Sequence, residues 1–229
     1  ISEKTRKRIL EISKELNYQP NVLASALTGK KTYTIGLLIP DVVNPFFAEL
    51  ARSIEDRAHE LGFSVMICNT DNDMRKEVKY AQLLRQKSVD GIIVATGARN
   101  DALLKELIDQ KVPVALAARD MSVLTASTVL VDDFAGGYAA AAHLLELGHR
   151  NIAVIAENLN ISSSKERVRG VRQALEEAGV PLDERFVVQS DFSVSAGRDA
   201  AMTLLQPPPG AEKAEADGRT DGGSAGGTG

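Results

Sequence analysis

The residues best placed to do chemistry in this sequence are charged, and they crowd at one end. Residues 1–31 hold Lys4, Arg6, Lys7, Arg8, Lys14, Lys30 and Lys31 against Glu3, Glu11 and Glu15, so seven bases over three acids leave +4. The whole chain of 229 residues carries −4, which leaves −8 for residues 32–229. A basic leading segment on an acidic body is what a polyanion-binding arm requires, because phosphate neutralisation is local while the body has to stay soluble. A solvated charged helix has the same composition, and on charge alone it is the commoner case.

Covalent chemistry is poorly provided for. The histidines are His59, His143 and His149, and Cys68 is the one cysteine. They suggest no Ser-His-Asp or Cys-His arrangement, no G-x-G-x-x-G follows the first apolar run, and no P-loop lysine motif occurs. The composition therefore argues against an enzyme and calls for no cofactor or metal. Cys68 sits in an apolar strand-like run with no partner for a disulfide, and it reads as a core thiol of a cytoplasmic protein. The longest apolar runs, residues 33–40 and 112–118, fall far short of the ~20 residues that cross a bilayer, so no membrane partner is expected. The first residues are helix-like and charged, without the pattern of a secretory signal.

Two kinds of element have to carry these residues. Ser2 can cap a helix in which Ile9, Ile12 and Leu16 recur on one face, and Gln19-Pro20 ends it, because a residue before proline leaves the α region. Residues 21–27 offer a second helix of two turns, too short to stand alone in water, and residues 28–31 a flexible exit. From Tyr33 onward, apolar strands alternate with amphipathic helices, the pattern of a parallel sheet covered on both faces. Strands are predicted at 33–39, 63–68, 91–95, 112–117 and 128–131, with helices near 47–61, 74–87, 102–110 and 134–147. A second unit follows, with strands at 151–155 and 186–189 and helices near 164–178 and 195–205. Residues 207–229 contain seven glycines and no large apolar side chain, which cannot build a core.

Several collinear motifs resemble the LacI/GalR family of transcription regulators. They are Ser2-Glu3-Lys4-Thr5-Arg6, Leu16-Asn17-Tyr18-Gln19-Pro20-Asn21 with Ala24 and Leu27, Thr34-Ile35-Gly36-Leu37, and Pro40-Asp41. The likeness continues through Asn44-Pro45-Phe46-Phe47, Asp90-Gly91-Ile92-Ile93, Val131-Asp132-Asp133, His143-Leu144-Leu145, Gly148-His149-Arg150 and Glu166-Arg167 with Gly170. It covers about residues 1–206 and implies an α/β chain: a helical DNA-binding headpiece, a hinge helix, then a body like periplasmic sugar-binding proteins. On that scheme residues 1–20 are the third headpiece helix, 21–31 the hinge and linker, 32–132 the first effector-binding subdomain, 133–206 part of the second, and 207–229 a disordered or out-of-frame tail.

The resemblance also implies roles. Ser2, Lys4, Thr5 and Tyr18 would position phosphates, while Asn21, Ala24 and Leu27 belong to a hinge helix whose leucine wedges into the minor groove and bends the operator. Asn44, Phe46 and Phe47 would line the effector cleft from the first subdomain, together with Arg119. From the second, Ser163 and Arg167 would meet hydroxyls or an anionic group, Phe192 would offer a stacking face, and Asp132 would support Arg167. Ala118 stands where the family often has a carboxylate, and with Arg119 and Arg167 this points to a sugar or a sugar acid as ligand. The reading is thus a homodimeric repressor that binds operator DNA under control of a small effector. The alternative is a sugar-binding protein of a transport system, which has no use for the basic segment.

Overall fold

The computed structural model describes residues 1–16, 31–97, 100–119, 126–191 and 193–206. Contacts divide the chain between Val131 and Asp132 into two compact units. Helix α1 (Glu3–Glu15) begins where the Ser2 hydroxyl accepts from the Thr5 amide at 3.3 Å, satisfying an N–H that has no partner inside the helix. Its stripe of Ile9, Ile12 and Leu16 is 50%, 41% and 72% exposed, so it is no part of the sheet core.

The first unit is built on β1 (Thr34–Ile39), β2 (Ser64–Asn69), β3 (Gly91–Val94), β4 (Val114–Ala117) and β5 (Ser127–Val129). All neighbours run parallel in the order β2-β1-β3-β4-β5, with Leu37 opposite Ile67 on one side and Ile93 on the other. Parallel pairs need crossovers, and α2 (Pro45–Glu60), α3 (Met74–Gln86) and α4 (Asp101–Asp109) supply three of them. Because side chains alternate along a strand, Leu37 and Ile39 meet Ala51 of α2, with Phe47 and Ile54 packed alongside. Leu38 faces the other way, toward Leu84 of α3 and Leu104 and Leu107 of α4. This double burial explains why the strands are apolar throughout, and each fully buried leucine stabilises by about 1.5–3 kcal/mol. Gly36 sits where a Cβ would lie 2.5 Å from Leu84 Cδ1, so its bare backbone lets α3 lie close to the sheet.

Strand β4 starts two residues later than the apolar run. Pro113 has no N–H for the ladder, and it serves only through its carbonyl, which accepts from the Ile92 amide at 2.8 Å. Cys68 is in the core as expected, and burial raises its pKa, which leaves it an inert thiol.

The second unit holds α5 (Asp133–Glu146), β6 (Val154–Ala156), α6 (Ser162–Glu177), a 3-10 turn (Glu184–Phe186), β7 (Val187–Gln189) and α7 (Val194–Leu205). β6 and β7 pair in parallel, with Val154 opposite Val187. Helices α5 and α6 cross at two glycines. A Cβ on Gly137 would run into the Arg167 backbone, and one on Gly170 into the Phe134 carbonyl and the Tyr138 amide. The two backbones therefore touch, and Tyr138 Oη donates to Glu177 Oε2 at 2.6 Å along the same interface. That contact fixes where Arg167 stands relative to the start of α5.

Candidate ligand-binding site

In the first unit the polar groups collect at the carboxyl ends of the strands, where ligands of open α/β sheets are bound. After β1 the chain turns through Asp41 and Val42, whose amide donates to Asn69 Oδ1 at 2.8 Å. Asn44 then caps α2, its Oδ1 accepting from the Phe46 amide at 3.0 Å, with Pro45 preset in the first turn. Its side-chain amide N–H groups point to no protein acceptor among the described residues. Phe46 is 45% exposed, and its ring meets that of Phe47 edge to face at 5.0 Å. Phe47 packs against the core under α2, so of the two rings Phe46 is the exposed one.

Arg119 takes a different position from the one its type suggests. It follows β4, is 4% exposed, and Nη1 donates to Thr96 O at 3.3 Å, Thr96 Oγ1 at 3.2 Å and Glu77 Oε1 at 3.4 Å. Asp101 lies 3.6 Å from Nη2. Glu77, on α3, is itself fully buried and accepts from Thr96 Oγ1 at 2.6 Å. Two opposite charges in such a place hold each other because neither can reach water. Ala118 directly before it has φ +53°, a left-handed conformation that costs a residue with a Cβ about 1 kcal/mol.

The second unit presents Arg167 on α6. Its Nε donates to Asp133 Oδ1 at 2.8 Å, and Nη2 lies 2.7 Å from the same oxygen. The carboxylate beside Arg167 is therefore that of Asp133 and not Asp132, a correction to the sequence reading. Asp132 is occupied at the N-terminus of α5, where its side chain accepts from the Ala135 amide at 2.8 Å. Asp133, one position on, falls in the first turn on the side that faces α6. Ser163 is half-buried in the first turn of α6, and the neighbouring Ser164 hydroxyl donates to the Glu157 carbonyl at 2.9 Å.

A cavity of about 150 Å³ lies between β6, from Val154 to Ala156 with Glu157 just beyond it, and Ser164, Arg167, Val168 and Val171 of α6. Glu157 was missed from the sequence. Burial pushes its carboxyl up to about 7, with Arg167 pulling the other way. The signal that points to it is a carboxylate directly after the apolar run Val154-Ile155-Ala156, where the strand ends. Glu77 was missed for the opposite reason: in sequence it looks like a solvated position on an amphipathic helix.

Ser2, Lys4 and Thr5 share the first turn of α1, with Ser2 Oγ and Thr5 Oγ1 2.8 Å apart. Tyr18, Asn21, Ala24, Leu27 and Phe192 lie outside the described residues, as does the segment 207–229. Among the described residues no helix is long and apolar enough to cross a membrane.

A family model described as periplasmic binding proteins and sugar binding domain of the LacI family matches residues 32–226. The HTH-type transcriptional regulator DegA of Bacillus subtilis is 49% identical over 208 residues, which is 90% of this chain and 62% of that protein. A LacI family transcriptional regulator from Enterococcus faecium, solved with bound ribose, superposes with a TM-score of 0.67 at 35% identity, over 76% of this chain and 63% of that one. A CelR transcriptional regulator in complex with cellobiose gives a TM-score of 0.69 at 29% identity, over 90% of this chain and 62% of that one. The chain thus spans 62% of the length of the DegA relative it matches.

Proposed function

The chain belongs to the LacI family, and we propose that it acts as a transcription regulator of the repressor type whose body takes a sugar-like effector. The observation that carries this reading is the pairing of a capped, basic helix α1 with a body whose polar groups gather at the carboxyl ends of its strands. A sugar-binding protein of a transport system shares the body, but the basic segment serves no purpose there. Relatives named as transcription regulators favour the first reading, and no catalytic step is proposed.

On DNA, the Ser2 and Thr5 hydroxyls and the Lys4 ammonium suit phosphate oxygens, contacts that orient a protein without reading bases. In the body, Asn44 and Phe46 of the first unit, and Ser163 and Arg167 of the second, are the groups for hydroxyl recognition and ring contact. A homodimer in the cytoplasm bound to a two-fold operator completes the proposal. Effector and DNA would be linked reciprocally, each changing the other's affinity by the same factor.

Two measurements test it. Band shifts should show this chain binding duplex DNA, with affinity falling steeply as salt rises. Calorimetric titration with a panel of neutral sugars should show saturable binding to the body. Absence of both, with the chain folded, overturns the proposal.

A further inference from the structure

We propose that Glu157 is a charge-selecting residue of the effector site, and that beside Arg167 it admits an uncharged polyhydroxyl ligand and turns away an anionic one. The inference rests on the effector-binding reading above and narrows the class of ligand.

Both arginines that suggested an acidic ligand are already neutralised. Arg119 is held by Glu77 and Asp101 in the first unit, and Arg167 by Asp133 in the second. Neither brings an uncompensated positive charge to its strand end. Glu157 then adds a second carboxylate to the wall that holds Arg167. No hydrogen bond to the Glu157 carboxyl is made among the described residues, and Ser164 reaches only its backbone carbonyl. Such a half-buried carboxyl is left to a ligand, to which it can give or accept one hydrogen bond according to its protonation.

The charges around it can be counted. From α6 comes Arg167, among the described residues the one charged side chain acting on Glu157, and through it Asp133 of α5, while α7 packs on β6 and carries Arg198 and Asp199, which do not act on it. β6 contributes only apolar residues, and from β7 the side chain of Gln189 is neutral and accepts from the Leu159 amide. Asp191, beyond β7, is bonded to the Ser193 amide. The N-terminus of α6, which has no side-chain cap, adds roughly half a positive charge. Arg167 and Asp133 offset each other, so ionising Glu157 makes the cavity wall more negative by one charge and protonating it removes that charge. A carboxyl titrating near 7 makes that switch within the ordinary range of pH.

The cavity of about 150 Å³ is smaller than the ~300 Å³ at the lower end of ordinary ligand sites, so it holds one edge of a ligand. A sugar edge suits it, with hydroxyl oxygens to Arg167 and one hydroxyl bonded to Glu157.

The test compares neutral hexoses and pentoses with their uronic acids, which stay ionised throughout, by calorimetry on the whole chain at pH 6 and pH 8. The proposal expects the neutral sugar to bind at least ~10-fold more tightly than its uronate at pH 8, a gap of one factor of ten per 1.4 kcal/mol, and the gap to narrow at pH 6. Glu157→Gln, which keeps the shape, should remove the pH dependence of the ratio, and Glu157→Ser should do the same if the glutamine variant folds poorly. A uronate bound as tightly as its sugar at pH 8, or a ratio unchanged in both variants, overturns this inference while leaving the effector reading intact. Failure of every sugar and uronate to bind the folded wild-type chain overturns both.

Discussion

Each unit sets an arginine against a carboxylate, Arg119 after β4 and Arg167 on α6, and the two pairs differ in burial. Arg119 and Glu77 are sealed, with side chains 5% and 0% exposed, whereas Arg167 is 54% exposed beside Asp133. The sealed pair also engages Thr96, so its geometry is set by the core around it. The open pair borders a cavity and stays within reach of a solute. Burial therefore separates an arginine enclosed in the core from one that solvent reaches, although the sequence presents them as equivalents.

The largest effect should come from breaking the sealed pair. Arg119→Met leaves Glu77 buried without its counter-ion and should cost about 3–5 kcal/mol in urea unfolding, while Arg167→Met should cost ~1 kcal/mol or less. Equal losses at the two sites would show that the contrast in burial does not govern their energetics. An intermediate effect is expected where the α5 and α6 backbones touch. Gly170→Ala puts a methyl group against the Phe134 carbonyl, so the helices must separate, at a cost of about 1–3 kcal/mol and with displacement of Arg167 from Asp133. Nuclear magnetic resonance of the Arg167 Nε–H would report the displacement, and an unshifted signal would detach the glycine contact from the positioning of Arg167.

The smallest effect concerns Glu157, and its sign follows from proton linkage. Its carboxyl is raised to about 7 in the folded chain from an ordinary 4.5, so the folded state binds more protons than the unfolded state between those values. Stability contributed by the protonated group is complete below about 4.5 and declines as pH rises to about 7. Glu157→Gln lacks that decline. The variant should gain on the wild type across this window, reaching about 1 kcal/mol once screening at a half-exposed group is allowed for. A difference that stays flat from pH 4.5 to pH 8 would mean that Glu157 meets water freely.

Much of the fold is legible in the residues. The run Thr34-Ile35-Gly36-Leu37-Leu38-Ile39 announces a strand buried on both faces, and Gly62, Gly148 and Gly179 stand with positive φ just beyond the helices they follow. Less is legible of the site. That Asn44 caps α2 and that Phe46 stands exposed beside it are local features, which follow from the residues around Pro45. The partner of Arg167 was misplaced by one residue, since which of two adjacent aspartates faces α6 depends on the helix phase set by its cap. Glu157 and Glu77 were not legible at all, because a carboxylate's meaning lies in how much water surrounds it.

The sequence by itself determined the alternation of strands and helices, the basic leading segment on an acidic body, and the family to which the chain belongs. These follow from periodicity, capping and charge, which act between residues close along the chain. Only the tertiary structure decided that Arg119 is enclosed with Glu77, 42 positions away, that Asp133 holds Arg167, and that Glu157 borders a cavity. Those outcomes turn on desolvation and on backbones brought into contact at Gly137 and Gly170, and both depend on neighbours that only folding assembles.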